Sequence, residues 1–153
     1  MKQISVRDVD TAIASFMQRW GILALRVSLS VVFVWFGLLK PLGISPAEPL
    51  VRATVYWMPF FDDGQWVSII GWWEVAIGIL FLFRRTTIIA IVLLAGQMAG
   101  TFLPLVVLPD ATFQPGGFPF ALTMEGQYII KNLTIIAAAI AIGGAVRENG
   151  KKA

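Results

Sequence analysis

The 153-residue chain contains no cysteine and no histidine. Their absence excludes disulfides, CxxC redox chemistry, histidine-ligated haem, iron–sulfur clusters and the usual zinc sites. It also excludes Ser-His-Asp and Cys-His catalysis. Charge is scarce as well, with 14% of residues charged against 58% hydrophobic. A soluble domain carries about 25% charged and about 45–50% apolar residues, so this composition belongs to a membrane protein. The mean hydropathy of +0.78 agrees. The length fits one domain. A net charge of +3 could suggest nucleic acid, but the basic residues are scattered beside apolar runs rather than gathered on a polar face, so no nucleic-acid partner is expected.

What is present is long apolar sequence. A membrane-spanning helix needs about 20 mostly apolar residues. Four stretches meet that requirement, at about 21–42, 66–83, 86–108 and 127–146. The first 20 residues do not read as a cleaved signal, because Asp8 and Asp10 interrupt them and no small-residue cleavage site follows. Val9, Ile13, Phe16 and Trp20 recur at helical spacing, with Arg7, Asp10, Gln18 and Arg19 around them. This pattern predicts an amphipathic interfacial helix over residues 1–20 that feeds the first span. Residues 147–153 form a basic tail.

Lys2, Arg7 and Arg19 precede the first span, Arg84 and Arg85 join the second and third, and Arg147, Lys151 and Lys152 follow the fourth. The loops at about 43–64 and 109–126 carry one basic residue, Arg52, and the acids Glu48, Asp62, Asp63, Asp110 and Glu125. The positive-inside rule then predicts both termini in the cytoplasm and two long loops outside. Trp20, Trp57 and Trp66 fall near the predicted interfaces.

In the first outer loop, Ser45-Pro46-Ala47-Glu48 has the form of a capping box, with Ser at the N-cap and Pro at the first helical position. Leu50, Val51, Thr54, Val55 and Met58 follow at helical spacing, so a short outer-face helix is expected, ended by Pro59 and Asp62-Asp63-Gly64. The second outer loop interleaves Phe113, Phe118 and Phe120 with prolines and glycines. It reads as a plug on the helix ends or as a gate over a pocket, and not as regular helix.

Polar residues inside spans are costly and face the bundle interior. In span one, Arg26, Ser30, Phe33, Gly37 and Lys40 follow spacings of 4, 3, 4 and 3 and share one stripe. Arg26 is expected to bind a lipid headgroup or make a structural ion pair. In span two, Glu74 shares a face with Gly71 and Gly78, which admit a neighbouring backbone or a ligand. Span three holds Gln97 beside Gly96 and Gly100, a helix-packing motif, and Pro104 is expected to kink its outer end. In span four, Ala137, Ala141 and Ala145 form another packing face. Lys40, Glu74, Gln97, Glu125, Tyr128, Lys131 and Asn132 all fall in the outer half. They form either a buried ion-pair network that fixes helix register or a proton-handling or ligand site that opens outward.

Leu25-Arg26 opening span one, Gly37-Leu38-Leu39-Lys40 closing it, Glu74-x-x-x-Gly78, and Glu125 to Leu133 opening span four resemble the DoxX-like membrane proteins over about residues 20–146. Asn132 stands where many members carry an acid, and Arg84-Arg85 where a glycine-containing turn is expected. The resemblance implies a four-helix membrane bundle in a bacterial inner membrane, related to a thiosulfate:quinone oxidoreductase subunit and to membrane redox complexes. More distant relatives look like assembly chaperones or cargo receptors. The resulting expectation is an all-α integral membrane bundle with no intrinsic cofactor. It would serve as an accessory subunit of a redox complex, with a polar outer-half pocket for quinone or another small ligand. Phe33, Trp35, Trp72 and Trp73 would flank a quinone there. A non-catalytic scaffold, chaperone or cargo-binding protein is the alternative, joined to another membrane subunit or a second copy. A small oligomeric transporter is a further one, although no inverted repeat is evident. No metal site is expected.

Overall fold

The computed structural model describes residues 6–150, without the side chains of 148–150. The chain is all-α and contains four helices long and apolar enough to cross a membrane. In order, the helices are α1 (Val6–Leu39), α2 (Glu48–Val55), α3 (Asp63–Leu82), α4 (Thr87–Phe102), α5 (Pro104–Val107), α6 (Pro109–Thr112) and α7 (Met124–Gly150). A 3-10 turn at Arg84–Thr86 joins α3 to α4. The long helices α1, α3, α4 and α7 pack as a ring of neighbours, each antiparallel to the one before. Both long loops therefore lie at one end of the bundle, and the Arg84–Thr86 link lies at the other.

Leu29, Phe33, Ile77, Phe81, Ala90, Leu94, Met98, Ala139 and Ile142 form the core between these four helices. The tightest contact joins α1 to α3. A Cβ on Gly37 would lie 2.8 Å from the Gly71 carbonyl oxygen and 2.9 Å from the Val75 nitrogen. One on Gly71 would lie 2.7 Å from the Gly37 oxygen, and one on Gly78 would lie 2.9 Å from the Ser30 oxygen. The two backbones thus touch along almost two turns, which only hydrogen side chains permit.

The other small-residue motifs do not pack inside the bundle. Gly96 has only the Trp73 ring at 3.8 Å, and Gly100 has nothing within 4 Å. Ala137 and Ala141 are exposed, while Ala139 and Ile142 turn inward instead. The reason lies in rotation: the faces of α4 and α7 that meet the bundle carry the larger residues Leu94, Met98 and Ile142. Those side chains fill the core, so the small residues are left on the outer surface.

Three local expectations need correction. Residues 6–20 do not form a separate interfacial helix, because α1 runs unbroken from Val6 to Leu39. The basic tail likewise begins as the last turn of α7, and Lys2, Lys151 and Lys152 lie outside the described residues. Ser45 does not cap α2. The helix starts at Glu48 after an Ala47 N-cap with no side-chain cap. Pro49 explains the shift. A Ser45 cap would require the Pro49 nitrogen to donate to the Ser45 carbonyl, and proline has no N–H. Starting at Glu48 puts Pro49 in the first turn, where no donor is needed. The capping box sits instead at α3, where Asp62 accepts from the Gln65 N–H at 2.8 Å and Gln65 accepts from the Asp62 N–H at 3.2 Å.

Pro104 interrupts the third span without ending it: α4 closes at Phe102, Leu103 keeps helical dihedrals, and α5 carries the span on to Val107, as a proline kink would. Beyond it the second long loop packs against the start of α7, where a Cβ on Gly126 would collide with the Thr112 carbonyl. The Gln114 N–H donates to the Ala121 carbonyl and the Thr123 N–H to that of Thr112, and Phe113 meets Phe118 edge-on at 5.0 Å. Phe118 and Phe120 point out and are exposed. Thr123 ties this loop to α7, donating to the Ala111 carbonyl at 2.7 Å and accepting from the Gly126 N–H at 3.2 Å.

The α1–α3 contact gives a direct test. Gly71→Ala should lower the unfolding free energy in detergent by about 1–3 kcal/mol, the usual range for overpacking. Gly100→Ala, on the open face of α4, should leave it unchanged. Thermal and SDS unfolding monitored by tryptophan fluorescence measures both.

Candidate functional site

The close approach of α1 and α3 brings Lys40 beside Glu74. The Gly37 position is so near that a Cβ there would stand 3.0 Å from the Glu74 Cβ. Lys40 Nζ donates to Glu74 Oε2 at 2.5 Å. From the other side, Gln97 Nε2 of α4 donates to Glu74 Oε1 at 2.8 Å. The Lys40 and Glu74 side chains are 8% and 13% exposed, so the pair is shut off from the surroundings. One carboxylate thereby joins three helices, and both of its oxygens are occupied. Trp73 strengthens the α3–α4 side, its indole N–H donating to the Leu93 carbonyl at 3.2 Å, one turn before Gln97.

The remaining predicted cluster members do not join this group. Tyr128 and Lys131 lie on the exposed face of α7, with the Lys131 ammonium 4.9 Å from the Tyr128 ring centre. Asn132 is half-buried and donates to the Tyr128 and Ile129 carbonyls of its own helix at 3.0 and 3.1 Å. Glu125 is exposed in the first turn of α7, where a carboxylate suits the helix dipole. The four share the loop end of the chain with Glu74 but not its site, because α7 presents them outward.

Among the described residues Arg26 pairs with no acid and binds a helix end instead. Its Nε donates to the Phe81 carbonyl at 3.0 Å and its Nη2 to that of Leu82 at 2.8 Å. Thr86 Oγ1 donates to Leu80 and Phe83, and Thr87 Oγ1 also donates to Phe83. The last three carbonyls of α3 and that of Phe83 just beyond it thus all have partners. A guanidinium at this end also complements the helix dipole. Sequence spacing put Arg26 on the right face, but could not show that a helix end would stop opposite it.

Arg52 forms a second cluster, outside the spans. It bonds Glu48 within α2 at 2.8 Å and reaches Asp63 at the start of α3 at 3.0 Å. These partners, Glu48 first and Asp63 next, raise the pKa of the guanidinium. Arg52 therefore fastens α2 to the bundle, a role its place in a loop did not reveal. Two residues after Gly64, the buried Trp66 Nε1 has no hydrogen-bond partner among the described residues, and its ring meets Phe61 edge-on at 5.2 Å.

A quinone site needs an apolar slot and a free donor at the quinone carbonyl. The residues around Glu74 do not fit that description. Lys40 and Gln97 each direct a donor at the carboxylate, and Trp35, Trp72 and Trp73 are exposed on the outer surface rather than lining a slot. Two open hollows at the loop end also lie elsewhere. One of about 450 Å³ is bounded by Phe61, Asp62, Gln65 and Ser68, and one of about 310 Å³ by Ala53, Tyr56, Trp57 and Leu108. Among the described residues no group of His, Cys, Asp and Glu could hold a metal ion. Comparison with family models, characterised proteins and solved structures finds no match.

A double-mutant cycle tests the buried pair. Lys40→Met alone leaves the Glu74 charge without its cation and should destabilise the bundle by about 3–5 kcal/mol. Lys40→Met with Glu74→Gln removes both charges and keeps an oxygen for Gln97, so most of that loss should return. Arg26→Met should also lower stability. Arg26→Lys should restore only part of it, because one ammonium does not match a guanidinium fork aimed at two carbonyls. SDS unfolding of each variant measures these effects.

Proposed function

We propose that this chain is a non-catalytic accessory subunit of a membrane complex, a scaffold that presents fixed helix faces to another membrane subunit. The observation that carries this reading is the state of Glu74. Both carboxylate oxygens are bonded within the chain, to Lys40 and Gln97, and the pair is closed from its surroundings. Such a group holds three helices in register, each of its oxygens already accepting a hydrogen bond from a neighbouring helix. The outward faces of α4 and α7, with Gly96, Gly100, Ala137 and Ala141, are the surfaces where small residues allow another helix to approach closely.

The resemblance to DoxX-like proteins favours a redox complex in a bacterial inner membrane as the assembly. Any flavin, quinone or metal would then belong to the partner. The distribution of Lys and Arg favours cytoplasmic termini and external long loops.

Purification of the full chain from its native membranes tests this. Lys40→Met/Glu74→Gln should retain the co-purifying subunit. Gly100→Leu and Ala141→Leu should lose it while unfolding at the wild-type temperature. A stoichiometric quinone that leaves with Glu74→Gln would overturn the reading, as would retention of the subunit by both leucine variants.

A further inference from the structure

The unbroken course of α1 raises a separate question: what covers its first half. Arg26 lies level with the end of α3, where the exposed Arg84 and Arg85 also stand. Val6 precedes Arg26 by 20 positions, so α1 extends about 30 Å beyond that level. The headgroup layer accounts for only about 5–8 Å of this. Every residue from Val6 to Trp20 is exposed. An isolated helix of about 15 residues is marginal in water without a packed face.

That stretch carries one face built for packing. Val9, Ile13, Phe16, Trp20, Leu23, Val27 and Val31 follow spacings of 4, 3, 4, 3, 4 and 4, and each is at least 43% exposed. They form a continuous ridge on a different face from Leu29, Ser30, Phe33 and Gly37, which meet α3. Lipid tails cover the part within the span but cannot reach Val9 and Ile13. One partner that covers the whole ridge is a second helix of the same length, half in the membrane and half outside.

We propose that α1 pairs in parallel with α1 of a second copy of this chain along this ridge. Copies inserted the same way present their α1 helices in parallel, with the same residues at the same depth. The 4-3-4 spacing over residues 9–20 is that of an a/d coiled-coil seam. The positions that flank the seam are Asp10, Ala12, Met17 and Arg19, and across a parallel pair Ala12 faces Met17 and Arg19 faces Ala24, so no like charges meet there. Thr11, Ser15 and Gln18 fall away from the contact. A membrane surface is the competing occupant, and it would require α1 to bend near Gly21, where the helix is continuous.

The absence of cysteine makes the test clean. Single variants Ile13→Cys, Val27→Cys, Thr11→Cys and Ser15→Cys of the full chain are oxidised in native membranes. Ile13→Cys and Val27→Cys should give about tenfold more disulfide dimer than Thr11→Cys and Ser15→Cys, as expected of seam against outward positions. Phe16→Asp introduced into Ile13→Cys should abolish its dimer without shifting thermal unfolding of the bundle. Equal crosslinking at all four positions would overturn the proposal, as would none at Ile13. So would quenching of a fluorophore on Ile13→Cys by a headgroup-borne quencher, which would put this stretch on the bilayer surface.

Discussion

Backbone contact between α1 and α3 is the constraint from which the other features follow. Gly37, Gly71 and Gly78 bring the two helices close enough for main-chain atoms of one to touch the other. At that separation, side chains one turn beyond the contact meet directly, and those side chains are Lys40 and Glu74. The same antiparallel register places Arg26 opposite the carbonyl end of α3. A helix pair held apart by leucines would leave Arg26 and Lys40 short of their partners. An unpaired charge costs about 2.5–3.5 kcal/mol at the centre of a span on insertion scales, and less toward the ends where Arg26 and Lys40 stand. The glycines therefore decide whether the polar residues of α1 can exist in an apolar bundle.

The polar groups of these helices are distributed by the same logic. Ser30 donates to the Arg26 carbonyl of its own helix at 2.9 Å, so it is satisfied while lying against Gly78. Gln97 of α4 donates to the oxygen of Glu74 that Lys40 leaves free. By contrast, Tyr128, Lys131 and Asn132 of α7 find their contacts on α7 itself. α7 thus joins the bundle through apolar packing, with Ala139 and Ile142 inward. The other three are fastened by specific polar bonds as well.

Much of this arrangement is legible in the sequence because periodicity defines faces. The stripe from Arg26 to Lys40 and the face from Gly71 to Gly78 both proved to be the inner faces of their helices. Periodicity does not say which of two plausible faces wins. Gly96 with Gly100, and Ala137 with Ala141, carry the same kind of pattern yet point outward, because bulkier residues on the opposite sides fill the core. Helix ends were less legible still. Ser45 and Asp62 both have cap signatures, and the missing Pro49 N–H rejects the first. The role of Arg26 depends on where a different helix stops, 55 residues away, which no local pattern carries.

The buried pair also restricts what could ever act at Glu74. A ligand would have to displace Lys40 or Gln97 and replace the bond it removes. Displacing Lys40 separates two charges that shield each other, and breaking such a buried pair costs about 3–5 kcal/mol. Displacing Gln97 costs about 1–3 kcal/mol, the loss of a buried hydrogen bond to a charged group. Only a molecule that donates to a carboxylate could recover either loss. A quinone carbonyl accepts hydrogen bonds and does not donate them, so it cannot take the place of the amide or the ammonium. The chemistry of the pair thus weighs against an oxidised quinone in place of either partner of Glu74, and points to the outward helix faces, where Trp35, Trp72 and Tyr128 are exposed, as the surfaces that meet other molecules.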